Sequence, residues 1–195
     1  GGIAGMQSSS HLNIKAFGLI PVPDYSTVIL DCINYANITA TGSNAGGICG
    51  SAGGCLTLTD CVNEGNVSSD VSAGGISGAA NGGNIQNCVN KGSVTARTEA
   101  GGLFAAVSEY YMVSPFGPPL SKGVTINDCS NSGLVTGSEN VGGLAGKLTN
   151  VLSPLTLSDS YNTGAVTGAS SGSTRDKDFG GLVGSVIANT DTTVK

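Results

Sequence analysis

The chain has 195 residues, 32 of them glycine, with 39% hydrophobic residues, 11% charged residues and a net charge of −5. This is one domain's worth of chain with enough apolar content for a sizeable core, which excludes a disordered tail. The acidic balance excludes the basic face that nucleic acid requires and an electrostatic hold on anionic lipid, and no stretch approaches the ~20 apolar residues of a membrane span.

The chain opens on Gly1-Gly2, inside a repeat, with no initiator Met and no visible signal peptide. It reads as a mature product or an excised piece of something longer. His11 to Thr27 follow, a segment that contains Phe17, Pro21, Pro23 and Tyr25. The repeat then appears five times: Asp31-Cys32-Ile33-Asn34, Asp60-Cys61-Val62-Asn63, Asn87-Cys88-Val89-Asn90, Asp128-Cys129-Ser130-Asn131 and Asp159-Ser160-Tyr161-Asn162. Each copy leads to a glycine pair and an aliphatic residue, at Gly46-Gly47-Ile48, Gly74-Gly75-Ile76, Gly101-Gly102-Leu103, Gly142-Gly143-Leu144 and Gly180-Gly181-Leu182. Cys61 and Cys88 are 27 residues apart, which is the bare unit.

A period of this length means a solenoid or a propeller. Apolar residues alternate with period two, as in Thr57-Leu58-Thr59, so the unit is built of strands separated by Gly, Asn and Ser turns. About 27 residues is short of the roughly 40–50 of a propeller blade. The expected fold is all-β: a single right-handed parallel β-helix over 1–195, with three short strands per coil, its hand set by the general hand of β-crossovers. Stacked coils turn each repeat position into a column. Ile38, Val67, Val94, Val135 and Val166 form an inward column; Cys32, Cys61, Cys88, Cys129 and Ser160 form a small inward one. Asn34, Asn63, Asn90, Asn131 and Asn162 form an amide ladder, each donating to one neighbour and accepting from the other. Gly65, Gly92, Gly133 and Gly164 supply turns that admit positive φ, so Ala36 should force a different turn in the first coil. The Gly-Gly-Leu/Ile element is the third strand, its aliphatic residue pointing inward.

The six cysteines divide into the column and the pair Cys49 and Cys55, which closes a glycine-rich turn. A disulfide between those two and a free pair are both open, since the bridge needs Cα atoms about 4.4–6.8 Å apart. The cysteine spacing does not suit a metal site, and no cofactor is expected.

The cores Gly143-Leu144-Ala145-Gly146 and Gly181-Leu182-Val183-Gly184, with Ser160-Tyr161-Asn162-Thr163-Gly164-Ala165-Val166-Thr167-Gly168, resemble the GLUG-type repeats of bacterial surface proteins. The resemblance covers nearly the whole chain apart from its insertions. It implies an extracellular, surface-anchored or secreted protein, and it brings no catalytic residues.

Two insertions differ in kind from the scaffold. His11 to Thr27 is the first; Ala105 to Gly123, with Tyr110, Tyr111, Pro115, Phe116, Pro118 and Pro119, is the second. Both lie between a Gly-Gly element and the next Asp-Cys element, hence at one corner, three coils or about 14 Å apart, where they could wall a groove. A third insertion, Ala169 to Asp178, lies at another corner. Exposed rings suit the apolar patches of sugars or peptides, so Phe17, Tyr25, Tyr110, Tyr111 and Phe116 are the candidate binding residues for a host or environmental glycan or protein. The alternative is that the loops fold back and cover the scaffold. Catalysis finds less support. Asp31, Asp60, Asp128 and Asp159 form an acidic column interrupted by Asn87, without the flanking cluster a glycosidase pair needs. His11 has no nucleophile partner, and Asp176 and Asp178 match no calcium-coil motif. The expected function is a non-catalytic, adhesin-like module; a structural spacer or filament subunit, and a carbohydrate-active β-helix enzyme, are the alternatives. Neighbouring domains or further copies are expected to cap its ends.

Overall fold

The computed structural model describes residues 2, 4–7, 26–112, 120–168 and 178–195. The chain winds as a parallel β-helix in which, among the described residues, every strand outside one hairpin pairs in parallel with a strand of a neighbouring coil. Each coil carries five short strands. In the bare coil these are Cys55–Thr59, Val62–Asn63, Val67–Ser69, Ser72–Gly74 and Ser77–Asn81, assigned here to sheets B, C, D, E and A. Sheets A and B have six strands each, and C, D and E have five. The expected three strands are therefore five, because the αL residue before each Cys and the Gly at each Asn-x-Gly turn break what the sequence suggests is continuous. Coils 1 to 5 start in sheet B at Ser26, Cys55, Gly83, Val124 and Leu155, and Thr192–Val194 opens a sixth.

The register holds the expected asparagine and valine columns. Asn34, Asn63, Asn90, Asn131 and Asn162 are Cα partners in sheet C, and Ile38, Val67, Val94, Val135 and Val166 are partners in sheet D. The lumen is filled by two apolar clusters. One joins Ile48, Ile76, Leu103 and Leu144 to the sheet B aliphatics Leu58, Ile85, Ile126 and Leu157 and to Cys61, Cys88 and Cys129. The other joins Val67, Val94 and Val135 to Ala73, Ala100 and Val141 of sheet E.

Between the clusters runs the amide ladder. Each Nδ2 donates to the next Oδ1, at 2.8 Å from Asn34 to Asn63, 2.8 Å from Asn63 to Asn90, 2.7 Å from Asn90 to Asn131 and 2.8 Å from Asn131 to Asn162. The second Nδ2 proton goes to the carbonyl two residues on, at Ala36, Gly65, Gly92, Gly133 and Gly164. Asn63, Asn90 and Asn131 are fully buried, and a buried amide is tolerable only when satisfied in this way. The ladder reaches across the lumen to the far corner. A Cβ on Gly47, Gly75, Gly102 or Gly143 would overlap the side chain of Asn63, Asn90, Asn131 or Asn162 respectively. The second residue of each glycine pair is thus fixed by the following coil, by its asparagine and by the carbonyl of its own glycine pair. The first glycine of each pair ends a sheet E strand and the second turns the corner into sheet A, so the element is not one third strand as expected, although Ile48, Ile76, Leu103 and Leu144 do point inward and are buried.

The positive-φ positions are also not where the repeat suggests. Asp31, Asp60, Asn87, Asp128 and Asp159 adopt φ of 52°, 55°, 52°, 53° and 49°. Asp and Asn are the side chains that best tolerate this left-handed region, which accounts for their column. The thiol that follows closes the turn: Sγ of Cys32, Cys61, Cys88 and Cys129 donates to the carbonyl two residues earlier, and Ser160 Oγ does the same at 2.7 Å. Gly65, Gly92, Gly133 and Gly164 do not have positive φ. They are glycine because a Cβ would collide with the carbonyl oxygen of Ala36, Gly65, Gly92 and Gly133 in the coil beneath. Ala36 opens this column and keeps the same turn, its N–H donating to Asn34 Oδ1 at 3.2 Å. The different turn expected there does not form, since φ was never the constraint.

Candidate functional site

The corner between sheets A and B carries both aromatic insertions, as the spacing predicts. The first lies between Gln7 and Ser26, and the second between Ser108 and Val124. The two intervening coils turn the same corner on glycine, at Gly53-Gly54 and Gly82-Gly83, with φ of 84° at Gly54, 63° at Gly82 and 109° at Gly83. Positive φ allows the chain to reverse with almost no loop. The result is two insertions with two minimal corners between them. The third insertion lies between sheets D and E, at the expected separate corner.

The second insertion begins and ends as an antiparallel hairpin, Tyr110–Met112 with Leu120–Lys122, with Tyr110 opposite Lys122 and Tyr111 opposite Ser121. Its base is clamped on both sides. Toward coil 3, Tyr110 is half-buried and so close to Gly82 that a Cβ there would lie 2.5 Å from its Cβ. Toward coil 5, Glu109 turns its carboxylate into the corner 151–154. It accepts the N–H of Val151 at 2.9 Å, Leu152 at 3.0 Å and Ser153 at 2.6 Å, and the Ser121 hydroxyl at 2.8 Å. Successive N–H groups converging on a carboxylate form a nest that favours its charged state. Burial of Glu109, 8% exposed, would raise its pKa, but the bonds from Ser121, Leu152, Ser153 and Val151 outweigh burial and hold it below the ordinary carboxylate range.

Of the candidate binding residues, Tyr111 is 49% exposed on the hairpin and Tyr110 packs at its base. Phe17, Tyr25 and Phe116 lie outside the described residues, as do His11 and Asp176. Asp178 is a sheet E residue, its N–H bonded to Glu139 O at 2.8 Å. Sequence reasoning missed three features. Tyr35 at 71% and Tyr161 at 61% exposure stand outward at opposite ends of sheet C, a placement readable from their positions flanking the ladder asparagines. Glu109 carries no motif, because three of its partners are backbone groups 42 to 44 residues away and the fourth is the Ser121 hydroxyl.

The bridge between Cys49 and Cys55 is not formed. Cys49 is a free thiol buried in the larger core cluster, donating to Ser51 O at 3.3 Å, because its register in sheet A aims it at the lumen. The side chain of Cys55 lies outside the described residues. Burial raises the pKa of Cys49; the thiols of Cys129 and Cys61, with burial, raise that of Cys88. Among the described residues no group of His, Cys, Asp and Glu side chains could hold a metal ion, and no helix is long and apolar enough to cross a membrane.

Compared with known proteins, the chain matches no family model, no curated protein and no solved structure.

Proposed function

We propose that this chain is a non-catalytic, adhesin-like module of a bacterial surface or secreted protein, in which the solenoid holds the sheet A–B corner out to bind a glycan or protein. One observation carries the reading: the two aromatic, proline-rich insertions leave the same corner three coils apart, with glycine corners between them. Rings held on a rigid scaffold lose little entropy on binding and offer apolar faces with a polar tip. The resemblance to GLUG-type repeats supports the extracellular part of the proposal. The acidic column is accounted for by its left-handed corners, which supports a non-catalytic role.

A purely structural spacer is the second reading, favoured by an amide ladder that runs through five coils. A glycan and extracellular-matrix array probed with the protein and with Tyr111→Ala separates the two. Selective binding that is lost in Tyr111→Ala, with unchanged thermal unfolding, supports the binding module. Binding that survives the substitution moves the site away from this corner, and no binding by either protein leaves the spacer.

A further inference from the structure

We propose that the C-terminal end of the stack is a receptor for one more parallel coil of this repeat type, carrying Asn at the ladder position and Gly two residues later. The observation is a glycine that its surroundings do not require. Gly2, Gly47, Gly75, Gly102 and Gly143 each face the ladder asparagine of the following coil, and a Cβ on any of them would overlap it. Gly181 is the next member of this column, and a Cβ built on it meets nothing within 4 Å. Its φ is not in the left-handed region, so neither space nor conformation selects glycine there. What does so elsewhere is the following coil, through its ladder amide and the carbonyl of its own glycine pair.

Two further features fit the same occupant. Asn162 Nδ2 gives to Gly181 O, at 3.1 Å, the proton that the four ladder asparagines before it give to the next Oδ1, a bond that an arriving amide would replace with the ladder bond. Phe179, partner of the buried Val141 in sheet E, is lumen-facing yet 44% exposed. Its ring packs within its own coil over Gly168, 2.8 Å from a Cβ there, as Val141 packs over Gly137. It therefore behaves as a lumen residue with an apolar face ready to be covered, worth roughly 25 cal/mol per Å².

A second copy of this chain does not fit that face. Its first coil presents Ala36 where a seated coil needs glycine, and a Cβ at that column collides with the carbonyl beneath in every stacked coil. The occupant must be an Asn-x-Gly coil, not the N-terminal end of a partner molecule.

The test compares four proteins by thermal unfolding: the chain, its Gly181→Ala variant, the chain with a copy of residues 60–86 appended after Lys195, and that extension carrying Gly181→Ala. The appended copy continues the register, since the Lys195 N–H already donates to Leu157 O. Gly181→Ala alone is expected to leave Tm unchanged. The extension is expected to raise Tm by roughly 2–4 °C or more, and Gly181→Ala to abolish that rise. An extension that gives no rise, or the same rise on both backgrounds, overturns the proposal. Sedimentation of the unextended chain is expected to show no head-to-tail oligomer; such an oligomer, abolished by Gly181→Ala, would instead make a second copy the occupant and overturn the choice made here.

Discussion

Replacing one ladder asparagine in mid-stack should cost a large part of the protein's stability. Asn90 is fully buried, accepts from Asn63 Nδ2 at 2.8 Å, and donates to Asn131 Oδ1 at 2.7 Å and Gly92 O at 2.7 Å. Asn90→Ala strands a donor on Asn63 and the Gly92 carbonyl between two apolar clusters, where water would have to enter to satisfy them, and leaves Asn131 Oδ1 with the Gly133 N–H at 3.2 Å. Each buried unsatisfied group costs about 1–3 kcal/mol, so the two should cost the variant about 2–6 kcal/mol, a large share of the 5–15 kcal/mol typical of a domain. Asn162→Ala at the end of the ladder frees the Asn131 donor, the Gly164 N–H and the Gly164 and Gly181 carbonyls where water can reach them, and should cost about 1 kcal/mol. Urea unfolding followed by far-UV circular dichroism measures both. A loss below about 1 kcal/mol at Asn90, or equal losses at the two sites, would refute the claim that the ladder is a cooperative element of the lumen.

Gly102→Ala places a Cβ on the Asn131 side chain and the Gly143 carbonyl, and should destabilise by about 3 kcal/mol or more through forced coil separation; urea unfolding set against the Gly181→Ala control checks it. Glu109 has a lowered folded-state pKa, so its contribution is fully present above the unfolded value of about 4.3 and is lost as pH falls through the folded value. The protection of the Val151, Leu152 and Ser153 N–H groups against hydrogen exchange, relative to the free-chain rate at the same pH, should therefore fall in acid below that range, and already at neutral pH in Glu109→Ala. Cys129→Ser should cost no more than about 1 kcal/mol, because Ser160 already makes the same bond to the carbonyl two residues earlier at 2.7 Å. Cys49 should react with a thiol reagent only on unfolding, as judged by mass spectrometry, whereas a Cys49 that is unreactive even when unfolded and unreduced would restore the bridge.

The sequence by itself determined the architecture. A period of 27 residues with alternating apolar positions leaves stacked coils as the way to bury each repeat's inner face, so the Val, Asn and Cys columns were legible as columns, and the two insertions were assignable to one corner. The tertiary structure decided why individual residues stand in those columns. Glycine at Gly133 or Gly143 looks the same in sequence whether it answers a positive φ, a carbonyl below or an amide above. Only the coil spacing shows that contact across coils is the cause, while the left-handed corners fall to Asp31, Asp60, Asn87, Asp128 and Asp159. The Glu109 clamp and the free state of Cys49 were equally out of reach, because the first depends on backbone N–H groups that carry no residue signature and the second on which face of a short strand meets the lumen. Periodicity fixes which residues are neighbours; the distance of closest approach between those neighbours, set only when the coils pack, decides what each of them is for.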